Sequence, residues 1–188
     1  MKTLTKVHEE SVFKTPRMDA IKVTYNDDAG NNVLTHTIIK SNPSIAIIVR
    51  KEGKIVLIRQ FRSTTGQYYI ELPAGVVNDG ESEIEAAVRE TFEETGLIVE
   101  ASVLVKGPSL LDPSKSNENY GVAIADVCDE FEQQLDAEEQ IDSEIIWMEE
   151  SEVFDRVRNQ LFYGQPFDYE KNLFMSGHSM YALMAYML

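Results

Sequence analysis

Between Gly75 and Leu97 the chain reads GVVNDGESEIEAAVRETFEETGL, six glutamates around a single arginine. Ile84, Ala87, Val88, Thr91 and Phe92 recur through the same window at helical spacing, so the carboxylates share one helix with an apolar stripe. On a helix turning about 100° per residue, Glu90 and Glu94 nearly superpose and Glu93 lies on the adjoining strip. Like charges four apart repel and weaken a helix, so three converging carboxylates call for compensating cations. Arg89, four before Glu93, is one, and can hold a carboxylate by a two-pronged hydrogen bond. A hard divalent ion such as Mg2+ would be another, because it takes one or two carboxylates together with waters and phosphate oxygens. The plainer reading of any glutamate run is a solvated helix face, and the surroundings must decide.

The elements that would position this row can be read on either side of it. Gly80 permits the turn that opens the helix, Gly96 stands just past its last turn as a stop, and Gly75 marks a close approach of backbone. Upstream, Ala20, Ile21, Val23 and Tyr25 lead through the turn signal at 26–32 to Val33–Ile39, a hairpin. The run SIAIIV after Asn42-Pro43 is apolar without alternation, as in a strand covered on both faces, and KEGK turns it into IVLIRQFR. A strand over Tyr68–Leu72 ends at Pro73. Strands follow near Val99–Lys106, Tyr120–Asp126 and Ile145–Met148, and helical patterns around VFDRVRNQL and HSMYALMAYML. The sum predicts an α/β fold with a mixed sheet, helices on its faces and N-terminal antiparallel strands.

Thirty-two acidic against 17 basic side chains give 188 residues a formal charge of -15, which repels phosphate backbones and argues against nucleic acid as a partner. The single Cys128 cannot form an intramolecular disulfide and fits a reducing compartment. No segment approaches the roughly 18 apolar residues of a membrane span, and the N-terminus lacks a signal-peptide core, so the expectation is a cytoplasmic protein with no membrane partner.

Gly75, Glu81, Arg89, Glu90, Glu93, Glu94, Gly96 and Leu97 fall in register with the Nudix box, GX5EX7REUXEEXGU, and the stretch resembles that family's signature; only Thr91 departs, standing where an aliphatic residue is usual. The order of elements is also similar to the α/β/α Nudix sandwich. The resemblance implies hydrolysis of a nucleoside diphosphate linked to another moiety, with Glu90, Glu94 and the carbonyl of Ala74 as ligands for Mg2+, or for Mn2+. It implies Glu93 in the catalytic row, directly or through water, with Arg89 and Glu81 supporting it. Three features resemble the ADP-ribose pyrophosphatase branch. Arg62 closes IRQFR and would clamp a diphosphate, Glu71 in ELPAG would face substrate or metal, and Pro113 lies sixteen residues past Leu97. Glu118 is a further substrate-side candidate. The general base implied by the resemblance is a glutamate late in the fold: Glu138, Glu139 or Glu144, with Glu139 favoured by position. GDP-mannose or another sugar nucleotide is an alternative substrate, and a non-catalytic Nudix-derived binding module an alternative role. Residues 1–42 would be a dimerisation element crossing to a homodimer partner and 43–188 the hydrolase domain. His8, His36 and His178 lack ligand spacing and read as structural or surface residues, while Phe13 and Tyr25 are candidate adenine contacts.

Overall fold

The computed structural model describes residues 3–15, 18–105, 114–130, 143–162 and 176–188. Strands β1 (Thr5–Thr15), β2 (Met18–Asn26) and β3 (Asn32–Lys40) form an antiparallel sheet in that order. The β2–β3 hairpin is the one the turn signal predicts. Asp27 caps it, accepting from the backbone N–H of Ala29 (3.0 Å) and Asn31 (2.9 Å), while Gly30 takes a φ of 83°. β1 was not separable in the sequence as an element of its own, because both of its faces are exposed along nearly its whole length and no buried face imposes an alternation.

The second sheet has seven strands. β4 (Ser44–Lys51), β5 (Lys54–Arg62), β6 (Gln67–Glu71), β7 (Ala74–Val76), β8 (Leu97–Val105), β9 (Tyr120–Glu130) and β10 (Ser143–Glu149) are arranged β10-β5-β4-β9-β8, with β6 on β5 and β7 on β4. The β4–β9 pair is parallel and the others are antiparallel, which makes the sheet mixed. Ile45 to Val49 are all buried, as the unbroken apolar run of β4 requires. Ala46 and Ile48 face helices α2 (Glu150–Phe162) and α3 (Gly177–Met187). Ile45, Ile47 and Val49 face helix α1 (Glu83–Thr95). The result is an α/β/α sandwich.

β4 and β5 pair only beside the turn that joins them, at Arg50–Ile55 and Lys51–Lys54, and then part. β7 takes over the edge of β4 and β6 that of β5. The chain crosses the gap at Leu72–Pro73, where the Ile47 N–H donates to the Pro73 carbonyl (2.8 Å). The expected break at Pro73 is present, but β7 resumes pairing immediately beyond it, and three residues are too few to show a periodicity.

α1 begins with a capping box. Ser82 accepts from the Glu85 N–H (3.2 Å) and Glu85 accepts from the Ser82 N–H (2.8 Å). It ends at Gly96, whose φ of 72° suits glycine and whose N–H donates to the Phe92 carbonyl. The buried face keeps Ala87, Val88 and Thr91 of the predicted stripe but not Ile84 and Phe92. Ala86, Ala87, Thr91 and Thr95 face the sheet, whereas Ile84 (45% exposed) and Phe92 (39% exposed) point outward. Small side chains let the helix sit close to the sheet, and that rotates the two larger residues off the contact.

Candidate active site

Arg89 is the hub of the acidic row. Its Nε and Nη2 donate to the two carboxylate oxygens of Glu81 (2.8 and 2.9 Å), and Nη1 donates to Glu90 (2.7 Å) and Glu93 (2.9 Å). Nη2 also reaches the Val76 carbonyl at 2.9 Å, tying the helix to β7. The two-pronged partner is thus Glu81 from the loop before the helix; Glu93, the expected one, receives a single bond and stays largely exposed. Glu81 is held at about 2, chiefly by Arg89 and then by the Asn78 N–H, well below an ordinary glutamate. Glu90 is pushed the other way. Burial raises its pKa most, the bond from Arg89 opposes the rise, and the charges of Glu93 and Glu81 add to it.

Glu90 is buried against Gly75. A Cβ at that position would lie 1.9 Å from the Glu90 Cδ, so only glycine admits the carboxylate. One helical turn on, Glu94 accepts from the Ala74 N–H at 3.1 Å. Both carboxylates therefore converge on the backbone of β7. The donor set is hard oxygen, and several carboxylates drawn together favour a cation among them. Among the described residues, no group of three or more His, Cys, Asp or Glu side chains is placed to hold an ion. The arrangement fits a cation that takes one or two carboxylates and completes its shell with water and phosphate oxygens.

Thr91 is fully buried and its hydroxyl donates to the Ala87 carbonyl at 2.7 Å. The polar substitution is satisfied inside the helix and costs the core no orphaned group.

Of the residues expected on the substrate side, Arg62, Glu71 and Glu118 lie near where β5 and β4 part. Arg62 donates through Nε (3.0 Å) and Nη2 to one oxygen of Glu71, whose side chain is buried. The expected diphosphate clamp is thus already engaged with the glutamate expected to face substrate. Glu118 accepts from the Ser44 hydroxyl (2.9 Å) and lies beside the Tyr120 hydroxyl. Burial first, and Glu118 second, push the Tyr120 pKa up. Pro113, Glu138 and Glu139 lie outside the described residues. Glu144 is not in a loop but in β10, opposite Arg59 of β5. Phe13 and His8 are exposed on β1 and His36 on β3. Tyr25 lies on β2, next to Leu34 of β3.

Of the three histidines, His178 is the one placed near residues expected on the substrate side. It stands in the first turn of α3 with its ring 3.8 Å from that of Tyr120, centroid to centroid, and its charge environment is set by Glu118, Glu71 and Arg62. Nothing in the local sequence marks it, because the partners are more than 50 residues away along the chain.

A family model for the NUDIX domain matches residues 40–169. Among curated proteins, the chain is 34% identical over 122 residues to putative nudix hydrolase 2 of Caenorhabditis elegans, covering 62% of this chain and 55% of that one. It is 34% identical over 108 residues to the ADP-sugar pyrophosphatase of Mus musculus, covering 51% and 49%. The chain thus spans about half the length of these relatives. A solved structure called an ADP compounds hydrolase superposes with a TM-score of 0.71 at 19% identity, over 98% of this chain and 92% of that one, a likeness of fold.

Proposed function

The chain belongs to the NUDIX domain family, and from that premise we propose that it hydrolyses the pyrophosphate bond of a nucleoside diphosphate linked to a sugar, ADP-ribose going to AMP and ribose 5-phosphate. The observation that carries the reading is the pair Glu90 and Glu94, one turn apart and both set against the Ala74–Gly75 backbone, with Glu90 braced by Arg89. The similarity to an ADP-sugar pyrophosphatase supports the choice of substrate class.

Glu90, Glu94 and the Ala74 carbonyl would hold Mg2+ or Mn2+. Bound divalent ions supply this kind of phosphoryl chemistry with charge neutralisation and a more acidic water. The chain's own contribution is positioning. Gly75 leaves room for the Glu90 carboxyl, the Ala74 N–H fixes one oxygen of Glu94, and Arg89 stops the row from splaying under its own repulsion. Glu93, the most exposed of the three helix carboxylates, is free to meet water on the substrate side. A glutamate of the 138–144 segment would serve as general base, with Glu139 the first choice.

The protein would act as a homodimer in a reducing cytoplasm. Support for the dimer comes from Leu4, Val7, Val12 and Phe13 exposed along the β1 segment, with Val33 and Leu34 on β3; support for the compartment comes from the unpaired Cys128.

Incubation with ADP-ribose, GDP-mannose, NADH, diadenosine polyphosphates and oxidised deoxynucleotides, with Mg2+ or Mn2+ and product identification, tests the proposal. AMP with ribose 5-phosphate as the fastest products is the expected result. No preference for ADP-ribose would sink the substrate assignment, and tight binding without turnover in either metal would replace it with a binding module.

A further inference from the structure

The gap left where β4 and β5 part is faced by charged and polar groups from several elements. β5 and β6 contribute Arg62 and Glu71, paired with each other. Ser44 of β4, Glu118 and Tyr120 at the start of β9 lie on the other side. The first turn of α3 closes over them. Ser179 accepts from the Leu72 N–H at 2.9 Å, directly beside the crossing strand, and the His178 ring packs on Tyr120 with 32° between the ring planes. Glu118, Glu71 and Arg62 are all near enough to act on His178 electrostatically.

The charges at this place do not suit a phosphate. Arg62 is matched by Glu71, and Glu118 adds an anion that no basic side chain among its hydrogen-bond partners in the described residues offsets. Burial lowers the His178 pKa, so its imidazole is neutral at neutral pH, one nitrogen a donor and the other an acceptor. A carboxylate acceptor beside a neutral imidazole matches vicinal hydroxyls, and the stacked pair of rings offers a rigid edge on which a sugar can rest. We propose that His178, seated on Tyr120 and working beside Glu118, is a specificity-determining residue that receives the neutral, hydroxyl-bearing sugar of the substrate's far half and disfavours an additional phosphate there. The inference rests on the sugar-nucleotide reading above and names which end of that substrate lies under α3.

The test compares ADP-ribose with mono-deoxy analogues of its terminal ribose on wild type, H178A and H178Q, with thermal melts alongside. Wild type should favour ADP-ribose over at least one analogue by about tenfold, the order a single polar contact contributes. H178A should lower kcat/KM for ADP-ribose by about tenfold, through KM more than kcat, and leave that analogue unchanged, so that the preference disappears. H178Q, which keeps a donor and an acceptor, should restore part of it. Equal losses on both substrates would reduce His178 to a packing contact of α3 and overturn the inference. If wild type hydrolyses none of these compounds, the functional reading has failed. The role of His178 is then judged by calorimetric titration of ADP-ribose and the analogues onto wild type and H178A: a wild-type preference lost in H178A sustains it, and equal affinities overturn it.

Discussion

Arg89 meets three glutamates and a backbone carbonyl, so each carboxylate of the row is held in a different way and responds differently to change. E94Q keeps the shape of the side chain and removes one charge from the proposed cation seat. Turnover should fall by about a hundredfold or more with the melting temperature retained, and near-normal steady-state rates would place the seat elsewhere. G75A sets a methyl group within 1.9 Å of the Glu90 carboxyl carbon, which must leave its place. We expect a stability loss of about 1–3 kcal/mol and an activity loss larger than that loss explains, read as kcat/KM at a temperature where the variant is folded. Glu81 provides a pH signature. Its folded pKa of about 2 lies below the ordinary 4.5, so its stabilising effect is complete above 4.5 and disappears as the pH drops toward 2. Urea midpoints of wild type and E81Q should differ at neutral pH and converge across that acid window; a constant difference would mean the Glu81 charge has no part in it.

At the level of the element, α1 was legible because its constraints are local. The box spacing, the capping box at Ser82 and the stop at Gly96 all follow from 3.6 residues per turn and from the backbone groups left unpaired at helix ends. S82A should cost about 1–2 kcal/mol in thermal or chemical denaturation, whereas T91V should change stability by less than about 1 kcal/mol, since the Thr91 hydroxyl donates to a carbonyl of its own helix and Val restores an aliphatic surface. The reading failed where depth mattered. Ile84 and Phe92 carry the right spacing for a buried stripe, yet they stay exposed while the unpredicted Ala86 joins Ala87 against the sheet, because depth depends on the residues of β4 and β8 that the helix meets. β7 was missed for its shortness, and β1 for the lack of any buried face to imprint a pattern.

For the whole molecule, charge and the apolar side chains exposed on the β1–β3 sheet are the dominant features. If β1 is covered by a second copy of the chain, F13K should convert a dimeric mass in light scattering to a monomeric one with the hydrolase fold unchanged by circular dichroism; a wild type that is already monomeric would remove the dimer from the proposal. The amino-acid order alone determined the family signature, the chain of carboxylates on one helix face, the buried strand β4 and the succession of strands and helices apart from β1 and β7, since these depend on neighbours within a few turns or a few strand residues. Only the tertiary structure decided that Arg62 closes on Glu71, that Glu81 receives the two-pronged grip of Arg89, and that His178 lies on Tyr120. Those contacts depend on where β4 and β5 part and on how α3 docks against Leu72, and both are set by packing between segments far apart in the chain, which no local spacing records.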